Sequence, residues 1–250
     1  MQNTFKSRAK RLSLAKYIIS FIILVTLFIS AVYTVFNFIS APSGIIDATD
    51  GVKSKNDYLL MLTQCLLGII GMLLPAIVQK YTRFRIPDGI CILYFLFIFC
   101  AIFLGEVLSF YYTVPMWDSA LHAASAVMLT LFALITVEQL CQNNAARVYA
   151  NSFFISFFAF SFAVTIGVLW EIYEFSFDAI LGLNMQKFRT ALGDELMGRA
   201  ALFDTMKDLI VDTVAAFFVS AVTFISRRKK QLISARILAN THNDKNNQQK

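Results

Sequence analysis

Long unbroken runs of hydrophobic residues, separated by short polar stretches, dominate the chain. A membrane-spanning helix needs about 20 mainly apolar residues, and six segments meet that length. None of the runs shows the strict alternation of a half-buried strand. We therefore expect an all-α polytopic membrane protein, a bundle of about six transmembrane helices. The segments, numbered 1 to 6, are Tyr17–Ile39, Tyr58–Gln79, Gly89–Phe110, Asp118–Glu138, Tyr149–Phe175 and Asp208–Ser226.

Composition agrees with this pattern. Hydrophobic residues make up 58% of the 250 residues and charged residues only 15%, which is typical of a membrane protein. The four cysteines lie in or beside apolar segments without a CxxC spacing, so we expect them to be packing residues. They are Cys65, Cys91, Cys100 and Cys141.

The basic residues predict the topology. They cluster before segment 1, between segments 2 and 3, and after segment 6, and such clusters mark cytoplasmic loops and ends. We predict three regions: a basic cytoplasmic segment at 1–16, a six-helix domain at 17–226, and a basic, polar, disordered cytoplasmic tail at 227–250. The net charge of +6 is then explained by a lipid surface, and nucleic acid is not an expected partner.

Segment 5 ends with three carboxylates, Glu171, Glu174 and Asp178. Their i, i+3, i+7 spacing places them on one side of a helix. At 100° per residue, a stripe of small residues includes Glu174 and is flanked by the other two acids. Small residues mark helix interfaces in membranes, so this acidic face is predicted to point into the protein. The stripe is Ser152, Ser156, Ala159, Ala163 and Gly167.

Segments 4 and 6 carry matching polar positions. Asp118 and His122 are four residues apart at the beginning of segment 4, and Asp204, Asp208 and Asp212 repeat every four residues into segment 6. Each set occupies one helix face. Ionisable residues at membrane depth usually face a bundle interior or a cavity and mark functional sites.

The alternating direction of the helices brings these residues, together with Glu106, to the outer side of the membrane. Eight carboxylates and one histidine need either bound protons or a cation. Oxygen-rich ligands with one imidazole suit Mg²⁺, Mn²⁺, Ca²⁺ or iron. We interpret His122 as a ligand or general base, with Asp118 orienting it, as the candidate catalytic pair. The candidate metal ligands are Glu171, Glu174, Asp178, Asp204, Asp208 and Asp212.

A simpler interpretation competes with a metal site. Some of the acids would pair with basic residues of the outer side, namely Lys187, Arg189, Arg199 and Lys207. The loop 179–203, the longest between segments, would be a re-entrant segment or a cap over the site.

The same residues carry a family resemblance over about 115–220. The motifs resemble the YjdF-type bacterial inner-membrane proteins, and more weakly the VanZ-type membrane proteins. This implies a multi-pass location in a bacterial plasma membrane and supplies no reaction. The motifs are Trp117-Asp118-x-x-Leu121-His122, Trp170-Glu171-x-x-Glu174-Phe175 with Asp178, Asn184-Met185-Gln186, and Asp204-Thr205-Met206-x-Asp208-Leu209-x-x-Asp212.

Three functions stay open at this point. The first is a divalent-cation site, as in a metal-dependent enzyme acting on a lipid or lipid-linked phosphate at the outer leaflet. The second is a proton- or cation-coupled transporter, in which acids serve as relays. The third is a structural or regulatory membrane protein whose acidic patch binds a partner or Ca²⁺. The sequence favours no particular substrate or oligomeric state.

Overall fold

A computed structural model describes residues 2–42, 53–82, 84–140, 151–190 and 194–248. Cys141 and the middle of the loop after segment 1 lie outside these ranges. The described residues form no strand, and the single bridge pair is Arg189 with Glu195. The helices are α1 (Gln2–Ser40), α2 (Lys55–Tyr81), α3 (Asp88–Ile98), which continues as a π-helix (Phe99–Val107, the π segment), the short α4 (Phe110–Thr113), α5 (Trp117–Leu140), α6 (Ser152–Leu181) and α7 (Arg199–Gln248).

Six helices of the described chain are long and apolar enough to cross a membrane. They correspond to the six predicted segments, so the all-helical polytopic fold is confirmed. Segment 6 differs at both ends, because its helix begins nine residues earlier, at Arg199, and remains helical through Gln248. The tail is therefore helical rather than disordered over the described residues.

Local sequence signals set several helix ends. Ser54 and Asp57 form a reciprocal capping box at the beginning of α2, which satisfies two backbone donors. The Asn151 side chain accepts a hydrogen bond from the Phe154 amide at the beginning of α6. At the other end of α6, Gly182 adopts a left-handed conformation with φ of 65°, which glycine reaches without a Cβ penalty.

The helices form two halves. In the first, α1, α2, α3 and the π segment pack together, with Leu27, Cys65 and Cys91 fully buried in their core. In the second, α5, α6 and α7 pack together around small residues such as Ala126 and Ala163. Small side chains let these helices approach closely, which brings their polar faces within reach of one another.

The two halves meet along one edge. Contacts between them run from α3 and the π segment to α5. Beside this edge, a cavity of about 530 Å³ separates the wall formed by α2 and α3 from the wall formed by α5 and α6. We call this cavity the cleft. We call the helix ends that carry Asp118, Glu171 and Asp208 the site end.

Candidate functional site

His122 lies at the centre of a group of buried carboxylates. Its Nδ1 is 3.2 Å from Oδ2 of Asp212, and its Nε2 is 3.9 Å from one oxygen each of Asp118, Glu171 and Asp208. These five residues come from α5, α6 and α7. We call them the acidic cluster. The structure thus brings together residues that are up to 94 positions apart in sequence, from the three segments that the sequence analysis singled out.

Helix geometry explains how the cluster forms. The four-residue spacing of Asp118 and His122 on α5, and of Asp208 and Asp212 on α7, stacks each pair on one face. On α6, Glu171 follows Gly167 by one turn, and a Cβ at Gly167 would lie 2.5 Å from Oδ2 of Asp212. A side chain at position 167 would displace that carboxylate, so Gly167 is needed for Asp212 to lie where it does.

The acidic face of α6 is turned slightly from the predicted direction. All five small residues of the stripe are buried, as expected, but Glu171 is buried with them while Glu174 is half-buried. The prediction that Glu174 lies within the stripe and Glu171 beside it is therefore wrong by a fraction of a turn. Glu174 instead accepts a hydrogen bond of 2.9 Å from Nε1 of Trp170 and faces the cleft.

Several oxygens of the cluster are buried without a hydrogen-bond partner. The oxygens without a hydrogen bond are both oxygens of Glu171, Oδ1 of Asp208 and Oδ1 of Asp212. The Glu171 side chain is only 5% exposed. An unsatisfied buried acceptor costs about 1–3 kcal/mol, and a charged one costs more. A bound proton or a cation would satisfy these oxygens, and Lys207 lies 3.6 Å from Oδ1 of Asp208.

Two lysines neutralise part of the cluster from the side of the loop. Lys187 pairs with Asp118 and lies 3.3 Å from Asp204, while Lys207 lies 2.8 Å from Asp204 and 3.6 Å from Asp208. Burial lowers the pKa of Lys187, but Asp118 and Asp204 outweigh that effect and raise it above its ordinary value. Lys187 therefore stays charged at neutral pH.

The charges in this network do not balance. Five carboxylates, those of the cluster and Asp204, face two lysines and one histidine. Even with His122 protonated, two negative charges lack a counter-charge. The simpler interpretation, in which basic residues compensate the acids, is correct for Asp204 and Asp118 and leaves the excess unexplained.

Asp178 and the loop after α6 cover the site. The two Asp178 oxygens accept hydrogen bonds from the amides of Met185 and Gln186, at 2.8 and 2.9 Å. The Gln186 side chain donates to Thr205 on α7 at 2.8 Å. These bonds tie the loop across α6 and α7 and place Lys187 over the cluster, so the predicted cap is present.

Glu106 approaches the cleft from the other half of the protein. It belongs to the π segment, and such insertions often occur at functional sites. Gly105 lies against Tyr111, where a Cβ would be 2.5 Å from the ring. Glu106 and Tyr111 both line the cleft. The structure places Glu106 at the same end as the acidic cluster but on the opposite wall.

The geometry also suits a cation. One ligand atom each from Asp118, His122 and Asp208 lie within 4.8 Å of one another. Metal–oxygen distances of about 2.0–2.6 Å allow a single ion between atoms at that separation. The four-residue spacing predicts that Asp118 orients His122, whereas in the structure Asp212 lies against Nδ1 and Asp118 lies on the Nε2 side.

Comparisons with known proteins find a family match and a sequence relative. Residues 44–229 match a family described as "Predicted membrane protein (DUF2238)". An uncharacterized protein of Thermotoga maritima is 27% identical over 164 residues, which cover 64% of this chain and 73% of that protein. No solved structure matches the chain.

Proposed function

We propose that this chain, which belongs to the DUF2238 family of predicted membrane proteins, holds a divalent cation at its acidic cluster. Asp118, Asp208 and Nε2 of His122 are the ligands, and Glu171 is the fourth group within reach. The observation that carries this proposal is the surrounding of His122 by four carboxylates, several of whose buried oxygens lack a partner.

Asp212 has a different role in this proposal. Its oxygen lies 3.2 Å from Nδ1 of His122. In the proposed centre Asp212 accepts a hydrogen bond from Nδ1–H, which leaves the Nε2 lone pair free for a metal. Carboxylates that hold the second nitrogen of a histidine ligand in this way fix both the tautomer and the ring orientation. Asp178 supports the loop, and Asp204 holds the two lysines.

The ligand set selects a class of metal. Carboxylate oxygens with one imidazole favour Mg²⁺, Mn²⁺, Ca²⁺ or iron over a structural zinc site. Such an ion, when bound, polarises a phosphoryl oxygen or activates a water molecule. We assign the protein to this chemistry, acting on a lipid or lipid-linked phosphate at the outer leaflet of a bacterial plasma membrane.

One observation supports that assignment. The cluster borders the cleft, through which Asp118, His122 and Asp212 meet apolar surface. The resemblance of the cluster's motifs to YjdF-type inner-membrane proteins supports the membrane location alone. A transport route has less support, because the cleft lining away from the site end is almost entirely apolar and offers no chain of acids.

Metal analysis of the purified protein tests the proposal. Asp208→Asn removes a ligand, whereas Asp204→Asn changes a carboxylate one turn earlier that is already held by two lysines. We expect wild type and Asp204→Asn to bind Mn²⁺ and to gain thermal stability from it, and Asp208→Asn to lose at least tenfold in affinity. Equal binding by the two variants, or no stabilisation of wild type by any of the four metals, contradicts the proposal.

A further inference from the structure

The cleft has the dimensions of a ligand site. Its volume of about 530 Å³ lies within the range of about 300–1,000 Å³ that is usual for small-molecule pockets. Its lining extends along α2 from Leu60 to Val78, which corresponds to roughly 27 Å at 1.5 Å per residue. It therefore reaches across most of a hydrocarbon core of about 30 Å.

The polarity of the cleft changes along this length. The site end is polar, and the rest of the lining is mainly apolar, apart from Gln64, Tyr94 and Ser125. There, apolar residues of α2 and α3 face Met128, Leu129 and Phe132 of α5. A molecule that complements this surface has a long apolar part and a charged head. The acidic and basic residues that line the site end are Glu106, Asp118, His122, Glu174, Lys187 and Asp212.

The cleft opens toward the hydrocarbon region between α2 and α6. The halves are joined on the opposite side, where α3 and the π segment pack on α5. Among the described residues, the hydrogen bond between α2 and the end of α6 runs from Asn56 to the Gly182 carbonyl, at the site end. Below it, Leu67 and Leu74 of α2 line the cleft yet remain 40% and 51% exposed.

We infer that the cleft binds the hydrocarbon tail of a phosphate-bearing lipid, which enters sideways from the bilayer between α2 and α6 and places its phosphate at the acidic cluster. This inference rests on the proposed cation, because an anionic head needs a positive charge among so many carboxylates. The charged Lys187 side chain at the mouth supplies a further positive group. Glu171, buried beside His122 with neither oxygen in a hydrogen bond, is the group that such a positive charge would satisfy.

Two matched pairs of substitutions on α2 test the tail site. Leu67→Trp combined with Leu74→Trp adds bulk to the cleft, whereas Leu66→Trp combined with Leu73→Trp adds the same bulk to neighbouring positions of similar exposure that do not line it. The probes are farnesyl phosphate, dilauroyl phosphatidate and farnesol, and binding is measured by native mass spectrometry with Mn²⁺ present. We expect the first pair to weaken farnesyl phosphate about tenfold, which corresponds to the burial of about two methylenes, and the second pair to match wild type.

A further pair of variants and a comparison of the ligands distinguish failure of the tail site from failure of the phosphate assignment. If the α2 variants do not fold, a second comparison uses α5. Met128→Trp fills the cleft from that helix. Its control is Ala124→Trp, one turn away, at an exposed position that does not line the cleft. If the cleft-lining variants and their controls bind farnesyl phosphate with equal affinity while Mn²⁺ binding is intact, the tail site is overturned. The proposed cation centre is unaffected by that result. Farnesol binding as tightly as farnesyl phosphate overturns the assignment of the head. A preference for phosphatidate over farnesyl phosphate supports the inference and identifies a phospholipid as the source.

Discussion

Gly167 on α6 lies so close to Asp212 on α7 that a Cβ at position 167 would be 2.5 Å from the Oδ2 atom. That same oxygen is the one that contacts Nδ1 of His122. A backbone position without a side chain therefore controls the carboxylate that orients the central histidine. A residue with no chemistry of its own is part of the geometry of the site.

Gly167→Ala is expected to weaken metal binding without unfolding the protein. The added methyl group displaces Asp212, and loss of the partner of a histidine ligand typically costs 10- to 100-fold in metal affinity. Titration of the purified protein with Mn²⁺ measures the change. Gly89→Ala is the control, since a Cβ there meets nothing within 4 Å. An unchanged affinity in Gly167→Ala would show that Asp212 does not set the orientation of His122.

Glu171→Gln is expected to raise the melting temperature without metal and to reduce the stabilisation that metal gives. In chelator, it removes an unpaired buried charge, so the melting temperature should rise by a few degrees. In Mn²⁺, it removes a group from the centre, so the stabilisation given by the metal should shrink. Thermal unfolding in both buffers checks the two signs. A fall in stability in chelator would mean that Glu171 already has a partner.

Asp178→Ala is expected to free the loop over the site. The substitution leaves two backbone amides, those of Met185 and Gln186, without their acceptor, at a cost of about 1–3 kcal/mol. Hydrogen exchange of residues 184–190 should accelerate while the helices stay protected. Asp194→Ala, at an exposed loop position, is the comparison and should leave this exchange unchanged.

Two lysines are expected to give opposite pH effects in the alkaline range. The pKa of Lys187 is raised in the folded protein, so its stabilising contribution is complete below the unfolded value of about 10.4 and is lost as pH rises through the folded value. Burial lowers the pKa of Lys53, so this lysine opposes folding at neutral pH and the penalty disappears as pH rises. Relative to wild type, Lys187→Met should flatten the fall in stability above pH of about 10, and Lys53→Met should remove a gain in stability that wild type shows as pH approaches about 10 from below. The same change in both variants would contradict these assignments.

The membrane helices were accessible from sequence because each depends on local composition. The predicted segment Asp118–Glu138 and the observed helix Trp117–Leu140 differ by one or two residues at each end. Segment 5 was predicted to end at Phe175, but α6 continues to Leu181 because its acidic residues remain on a protected face and Gly182 supplies the stop. Gly182 is a helix-ending signal in the sequence, but a segment bounded by hydrophobicity alone ends before it is reached.

The arrangement within the site was less accessible, because it depends on contacts between helices. Spacing placed Asp118, His122 and Asp212 on inward faces, but only packing decides that Asp212 and not Asp118 meets Nδ1 of His122. The role of Gly167 was also hidden, since a small residue in a membrane helix ordinarily indicates close packing alone. The π segment that presents Glu106 leaves no signature in a run of apolar residues.

The two halves are in contact where α3 and the π segment pack on α5. Between α2 and α6, on the other side of the cleft, the hydrogen bond from Asn56 to the Gly182 carbonyl joins them among the described residues. The five residues of the acidic cluster all belong to the half formed by α5, α6 and α7. The width of the gap between α2 and α6 depends on contacts between the halves, whereas the distances within the cluster depend on contacts inside one half. A substitution in the interface between α3 and α5 is therefore expected to change the gap and to leave the cluster unchanged.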